Sequence, residues 1–125
     1  MEQTPSAVPE RGTLDPAFQW DLTRMYADDA AWETAFAALD AKLAAVPAFA
    51  GTLRDAASVR AFLQAETALL RELSNLYCYA SLRRSEDTRA AAAQSMYARV
   101  SAKYVRAASA LSFAEPEILA LPQET

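Results

Sequence analysis

The run from Ser58 to about Leu82 contains neither proline nor glycine, and this limits the chain to a helical fold more than any other feature. Within it Val59, Phe62, Leu63, Leu69, Leu70, Leu73, Leu76 and Tyr77 return on the helical period. Such a segment predicts one helix roughly 35 Å long. The background composition points the same way. Alanine is abundant and loses no side-chain entropy on entering a helix. Only two glycines occur, far below the roughly 7% of average usage. Val, Ile and Thr are sparse, which argues against sheet.

Two more helices follow from the same pattern. Trp32, Phe36, Leu39, Leu43 and Val46 are spaced by four, three, four and three residues, after an N-cap at Asp28 or Asp29. Pro47 and Gly51 stop this first helix, over about 29–46. Ser58 is the N-cap candidate of the second, over 58–82. Arg83-Arg84-Ser85-Glu86-Asp87 reads as a polar turn, with Asp87 capping a third helix over 88–113. Ala93, Met96, Tyr97, Val100, Tyr104, Ala107, Ala108 and Leu111 form its apolar face. Glu115-Pro116 ends it, and Pro116 suits the first position of a further helix over 116–121. A helix that short is not stable alone, so the chain reads as cut at its C-terminus.

The expected fold is all-α. A long antiparallel hairpin is covered by the first helix, giving an elongated three-helix bundle. Residues 1–28 form an extended arm, since Pro5, Pro9, Gly12 and Pro16 lie among polar residues. Residues 29–121 form the helical domain. The 125 residues of the whole chain make one domain or part of one.

Most site chemistries lack their residues. No histidine is present, which removes the commonest general base and zinc ligand. Cys78 is the one cysteine, so no internal disulfide or thiolate cluster forms, which fits a reducing cytoplasm. Gly12 and Gly51 stand alone, with no phosphate-binding loop. Net charge is −4, with the signs mixed and no basic block for nucleic acid. No apolar stretch is long enough to span a membrane, and Met1–Ser6 is polar, unlike a signal peptide. No catalytic and no metal-binding residue is therefore assigned.

Four candidates have ordinary structural readings. Cys78 reads as a small buried hydrophobe rather than a reactive thiol. Arg99, Lys103 and Arg106 share a helical stripe that reads as a solvated face, with an acidic ligand as the alternative. Tyr77, Tyr97 and Tyr104 read as boundary packing with rim hydroxyls, with a peptide-channel lining as the alternative. Arg83 and Arg84 read as helix C-terminal cations. Trp20, Leu22, Tyr26 and Trp32 are expected to dock the arm on the bundle.

The ordered set of short motifs resembles the oligoendopeptidase F family. It begins with Val8-Pro9-Glu10-Arg11 and Trp20-Asp21-Leu22-Thr23-Arg24-Met25-Tyr26. Asp28-Asp29-Ala30-Ala31-Trp32-Glu33 then opens the first helix. Phe49-Ala50-Gly51-Thr52-Leu53, Leu76-Tyr77-Cys78-Tyr79-Ala80 and Asp87-Thr88 follow in order. Phe113-Ala114-Glu115-Pro116-Glu117-Ile118-Leu119 closes the set. Met25 departs from the usual leucine or isoleucine, a swap of similar volume.

The resemblance implies a cytoplasmic zinc metalloendopeptidase, related to thimet oligopeptidase, that cleaves short peptides in a helical channel. Its zinc signature, His-Glu-x-x-His, is absent here, so no catalytic residue is carried over. The chain is then the N-terminal helical region that flanks or gates the channel. It would bind no zinc itself, and its partner would be the remainder of the peptidase. An apolar patch is expected where that remainder packs. A stand-alone helical bundle that binds a partner protein is the alternative; a cofactor-holding four-helix bundle lacks its usual inward ligands.

Overall fold

A computed structural model describes residues 8–123, so Met1–Ala7 of the expected arm and the last two residues lie outside the described region. The chain is all-α, with three long helices packed together: α1 (Asp29–Ala45), α2 (Ala56–Glu86) and α3 (Ala91–Leu111), followed by a short α4 (Ala114–Leu119). Single 3-10 turns lie at Arg11–Thr13, Pro16–Phe18, Leu22–Arg24 and Val46–Phe49.

Caps fix where each helix begins. The Asp28 carboxylate accepts from the Ala31 amide at 2.8 Å and starts α1. Pro47 then tightens the end into the 3-10 turn, and Gly51, at φ 78°, takes the left-handed conformation that turns the chain toward α2. α2 starts earlier than the sequence suggests. Asp55 is its N-cap and Ser58 is the third residue of a capping box, each side chain bonding the other's amide.

α2 also continues beyond Leu82 to Glu86, so the expected polar turn is its last helical turn. Arg83 and Glu86 are held there by charges from other segments, which outweigh their solvation in a loop. Asp87 consequently does not cap α3. Its carboxylate accepts from the Arg89 amide at 2.9 Å within the turn, and α3 starts at Ala91 with no side-chain cap. Pro116 sits in the first turn of α4 at its third residue rather than its first.

One apolar core joins the three long helices. Trp32, Leu39 and Leu43 of α1 meet Leu69, Leu73, Leu76, Tyr79 and Ala80 of α2 and Met96, Val100 and Ala107 of α3. Trp32 is fully buried, stacks on Phe36 at 4.8 Å, and donates its indole N–H to the Leu76 carbonyl at 2.9 Å. That bond uses the second lone pair of a helical carbonyl, so the polar end of Trp32 is satisfied without water.

A second cluster closes the end of the bundle where α2 begins. Leu53, Phe62 and Ala114 are buried there, with Phe49, Val59, Leu111, Phe113 and Ile118 against them. Phe62 lies edge-on to Phe49 at 5.6 Å and to Phe113 at 5.5 Å. The Glu117 carboxylate accepts the Gly51 and Leu53 amides, both at 3.0 Å. Thus α4 is held by tertiary contacts that an isolated six-residue helix lacks.

Candidate functional site

The described part of the arm, residues 8–28, folds into local turns rather than running extended. Asp15 and Asp21 accept the amides two residues on, at 2.9 and 3.0 Å, as short polar side chains do at turns. Leu22 and Tyr26 pack against the main core, with Tyr26 edge-on to Tyr79 at 5.3 Å. Trp20 departs from the expected docking. It is 69% exposed and Phe18 82% exposed, both bordering a shallow pocket with Leu82, Ser85, Arg11 and Glu86. The short aspartate-capped turn spends its residues on its own backbone and leaves the Trp20 ring facing solvent.

Charge joins the arm to the helices. Arg11 Nη2 donates to Glu86 Oε1 at 2.7 Å, and Arg83 Nη1 to Glu86 Oε2 at 3.1 Å. Arg83 also grips Asp29 through Nε at 3.0 Å and Nη2 at 2.9 Å, and the Tyr79 hydroxyl donates to Asp29 Oδ1 at 2.7 Å. The Arg83 guanidinium, helped by Tyr79, holds the Asp29 carboxyl below its ordinary range. Burial, then the bond to Asp29, pushes the Tyr79 phenol up to about 12. Arg83 is thus the hub of this network, beyond the simple dipole cation read from the sequence; Arg84 instead lies over the Tyr97 ring at 4.4 Å.

The three candidate tyrosines meet on one face of α2 and α3. Tyr77 and Tyr97 share a hydrogen bond between hydroxyls at 3.0 Å, with ring centroids 5.5 Å apart. Tyr104 lies edge-on to Tyr77 at 5.6 Å, and Ser101 sits beside the pair in a shallow hollow. All three rings are partly buried against the core. The shared bond, assisted by the Arg84 charge, lowers the Tyr97 phenol; the same bond raises that of Tyr77, against the pull of Arg84. This face presents aromatic surface, hydroxyls and one guanidinium, which suits contact with a peptide backbone and apolar side chains.

Two structural readings are corrected. Cys78 is exposed, because it falls on the outer side of α2 between inward Tyr79 and rim Tyr77. The Arg99–Lys103–Arg106 stripe is not simply solvated. Lys103 is only 3% exposed; it donates to the Phe36 carbonyl at 2.6 Å, pairs with Asp40 at 3.0 Å, and lies 3.4 Å from the Phe36 ring centroid. Arg99 pairs with Glu33. Both pairs run between α1 and α3, so only the packing of these helices brings the charges together.

Exposed apolar side chains are dispersed. Leu63 lies on α2, Val105 on α3 and Leu119 on α4, while Leu14, Phe18, Trp20 and Met25 lie on the arm. Along α2, Ala56, Val59, Leu63 and Ala68 line a shallow apolar strip flanked by Arg60 and Arg71.

The residues present do not fit the zinc that the resemblance implies. The sequence has no histidine, and among the described residues no group of three or more potential ligands converges. Asp29, Glu33 and Glu86 are committed to arginines, and Glu117 to backbone amides. Among the described residues, no helix is long and apolar enough to cross a membrane.

An all-α helical chain with this motif order has clear relatives among bacterial oligopeptidases. Group B oligopeptidase PepB of Streptococcus agalactiae serotype III (strain NEM316) is 34% identical over 114 residues, 90% of this chain and 19% of the relative. The plasmid oligoendopeptidase F of Lactococcus lactis subsp. cremoris is 30% identical over 99% of this chain and 20% of its own length. Oligopeptidase PepF of Bacillus subtilis (strain 168) is 27% identical over 98% of this chain and 18% of its own length. No family model matches the chain, and no solved structure matches it. The chain is a relative of the oligoendopeptidase F family. It spans about a fifth of the length of the curated relatives it matches.

Proposed function

We propose that this chain is the non-catalytic, N-terminal helical part of a zinc metalloendopeptidase that hydrolyses short peptides in the cytoplasm. The observation that carries the reading is the match itself. Relatives named as oligopeptidases align with about nine-tenths or more of the chain and only a fifth of themselves. A histidine-free fifth leaves the zinc and the general base to the remainder of the peptidase.

The chain then walls or gates the channel. Tyr77, Tyr97 and Tyr104 face the peptide path, where their hydroxyls bond backbone amides and their rings admit apolar side chains. The strip along α2, with Val59 and Leu63, receives the remainder of the chain. Leu22, Tyr26 and Trp32 secure the arm and α1 to the hairpin. The test is direct. The purified chain, given a quenched fluorescent peptide and zinc, should leave it intact. Cleavage abolished by a chelator would overturn the reading.

A further inference from the structure

Residues 8–20 are tied to the bundle mainly by one charged contact. From Val8 to Met25 no residue is buried, and only Arg11, Gln19 and Leu22 are half-buried. The carboxylate of Glu86, by contrast, is only 8% exposed. Arg11 fills one of its oxygens and Arg83 the other. Arg11 also reaches the Trp20 carbonyl at 3.5 Å, so one guanidinium spans both ends of the 11–20 segment and the last turn of α2. Gln19 closes the same segment on itself, donating to the Arg11 and Leu14 carbonyls at 3.1 and 2.9 Å. The segment is therefore a small preformed unit with a single strong attachment. The other charged tie, Arg89 to Glu10 at 3.7 Å, is exposed on both sides and contributes little.

Glu86 does not depend on the arm. Without Arg11 its charge keeps Arg83, and Arg83 keeps both oxygens of Asp29. The cost of an unpaired buried charge, which makes most such pairs hard to break, is largely avoided here. Beyond residue 20 the chain is anchored differently, by Leu22 and Tyr26 in the apolar core.

We propose that residues 8–20 form an ionic strap, hinged at Leu22–Tyr26, that comes away from α2 and loosens its own turns when Arg11 lets go of Glu86 and of the Trp20 carbonyl, while the bundle stays folded. Opening uncovers the edge of α2 at Leu82 and Ser85, and releases Phe18 and Trp20 together. A carboxylate competing for Arg11, or a cation competing for Glu86, favours the open form. The strap is thus a conformational device read by charge rather than by apolar contact.

Hydrogen exchange resolved by residue tests this in the full chain. The Thr13, Leu14, Phe18 and Gln19 amides report on the strap, since each is bonded within it. In Arg11→Gln these amides should exchange about tenfold faster, as expected for losing a charge-assisted bond that governs local opening. Amides of α1, α2 and α3 should not change. Trp20→Ala should leave strap exchange near that of the natural chain. Strap exchange unchanged in Arg11→Gln, or accelerated more by Trp20→Ala, would overturn the proposal. So would loss of protection in α2 of Arg11→Gln, because Arg11 would then be part of the bundle.

Discussion

Residues 8–20 and α4 attach at opposite ends of α2 by opposite means. The arm reaches Glu86 with charge and leaves Phe18 and Trp20 in solvent. α4 is shorter, yet it buries Ala114, packs Ile118 with Phe113 against Phe62, and adds the Glu117 clasp on the α1–α2 loop. Apolar burial scales with area, whereas a partly buried ionic tie can be exchanged for a competing charge without disturbing the core. The difference marks α4 as part of the folded unit and the 8–20 segment as an appendage to it.

The largest effect should come from the core that both ends share. Trp32→Ala removes a fully buried indole and its bond to Leu76, and should cost about 3–5 kcal/mol in denaturant unfolding. A loss below ~1 kcal/mol would mean that the arm and α1 are not seated as described. Phe62→Ala should cost about 3–5 kcal/mol and raise amide exchange in α4 while sparing the arm. Equal loosening at both ends would erase the contrast.

Smaller effects sharpen it. Asp28→Ala removes the α1 cap and should cost about 1 kcal/mol. The Asp29–Arg83 contact gives a pH signature. Asp29 titrates below its unfolded value, so its contribution is present above roughly pH 3.9 and is lost as pH falls through the folded value. Asp29→Asn should therefore lower stability at neutral pH and flatten the acid limb, measured as melting temperature against pH. An unchanged acid limb would show that Arg83 does not discriminate the charged form. Arg11→Gln should be the mildest change, altering strap exchange with little effect on global stability.

These contrasts were unevenly legible in the sequence. The helices were legible because apolar spacing in α1, α2 and α3 is regular and uninterrupted. Their ends were not, because tertiary charge decided them. Arg83 and Glu86 look like turn residues until Asp29 and Arg11 are brought beside them. Asp55 outcompeted Ser58 as the cap because both could act and the reciprocal box satisfies more amides. The exposure of Trp20 is not legible in the sequence, since aromatic size suggests burial while the adjoining turn aims its ring outward. The exposure of Cys78 is hidden likewise, because its residue type suggests burial while its place on α2 faces out. The tyrosine face was readable as a set, but Arg84 over Tyr97 required the α2–α3 pairing.

The central proposal is that this chain is the scaffold fifth of a peptidase. The most direct measurement is chelator-sensitive peptide cleavage by a chimera, in which this chain replaces the matched region of the Streptococcus agalactiae oligopeptidase. The account predicts that the chimera cleaves a short fluorogenic peptide, whereas the same enzyme with that region deleted does not. A folded chimera as inactive as the deletion, or a deletion as active as the intact enzyme, would contradict it.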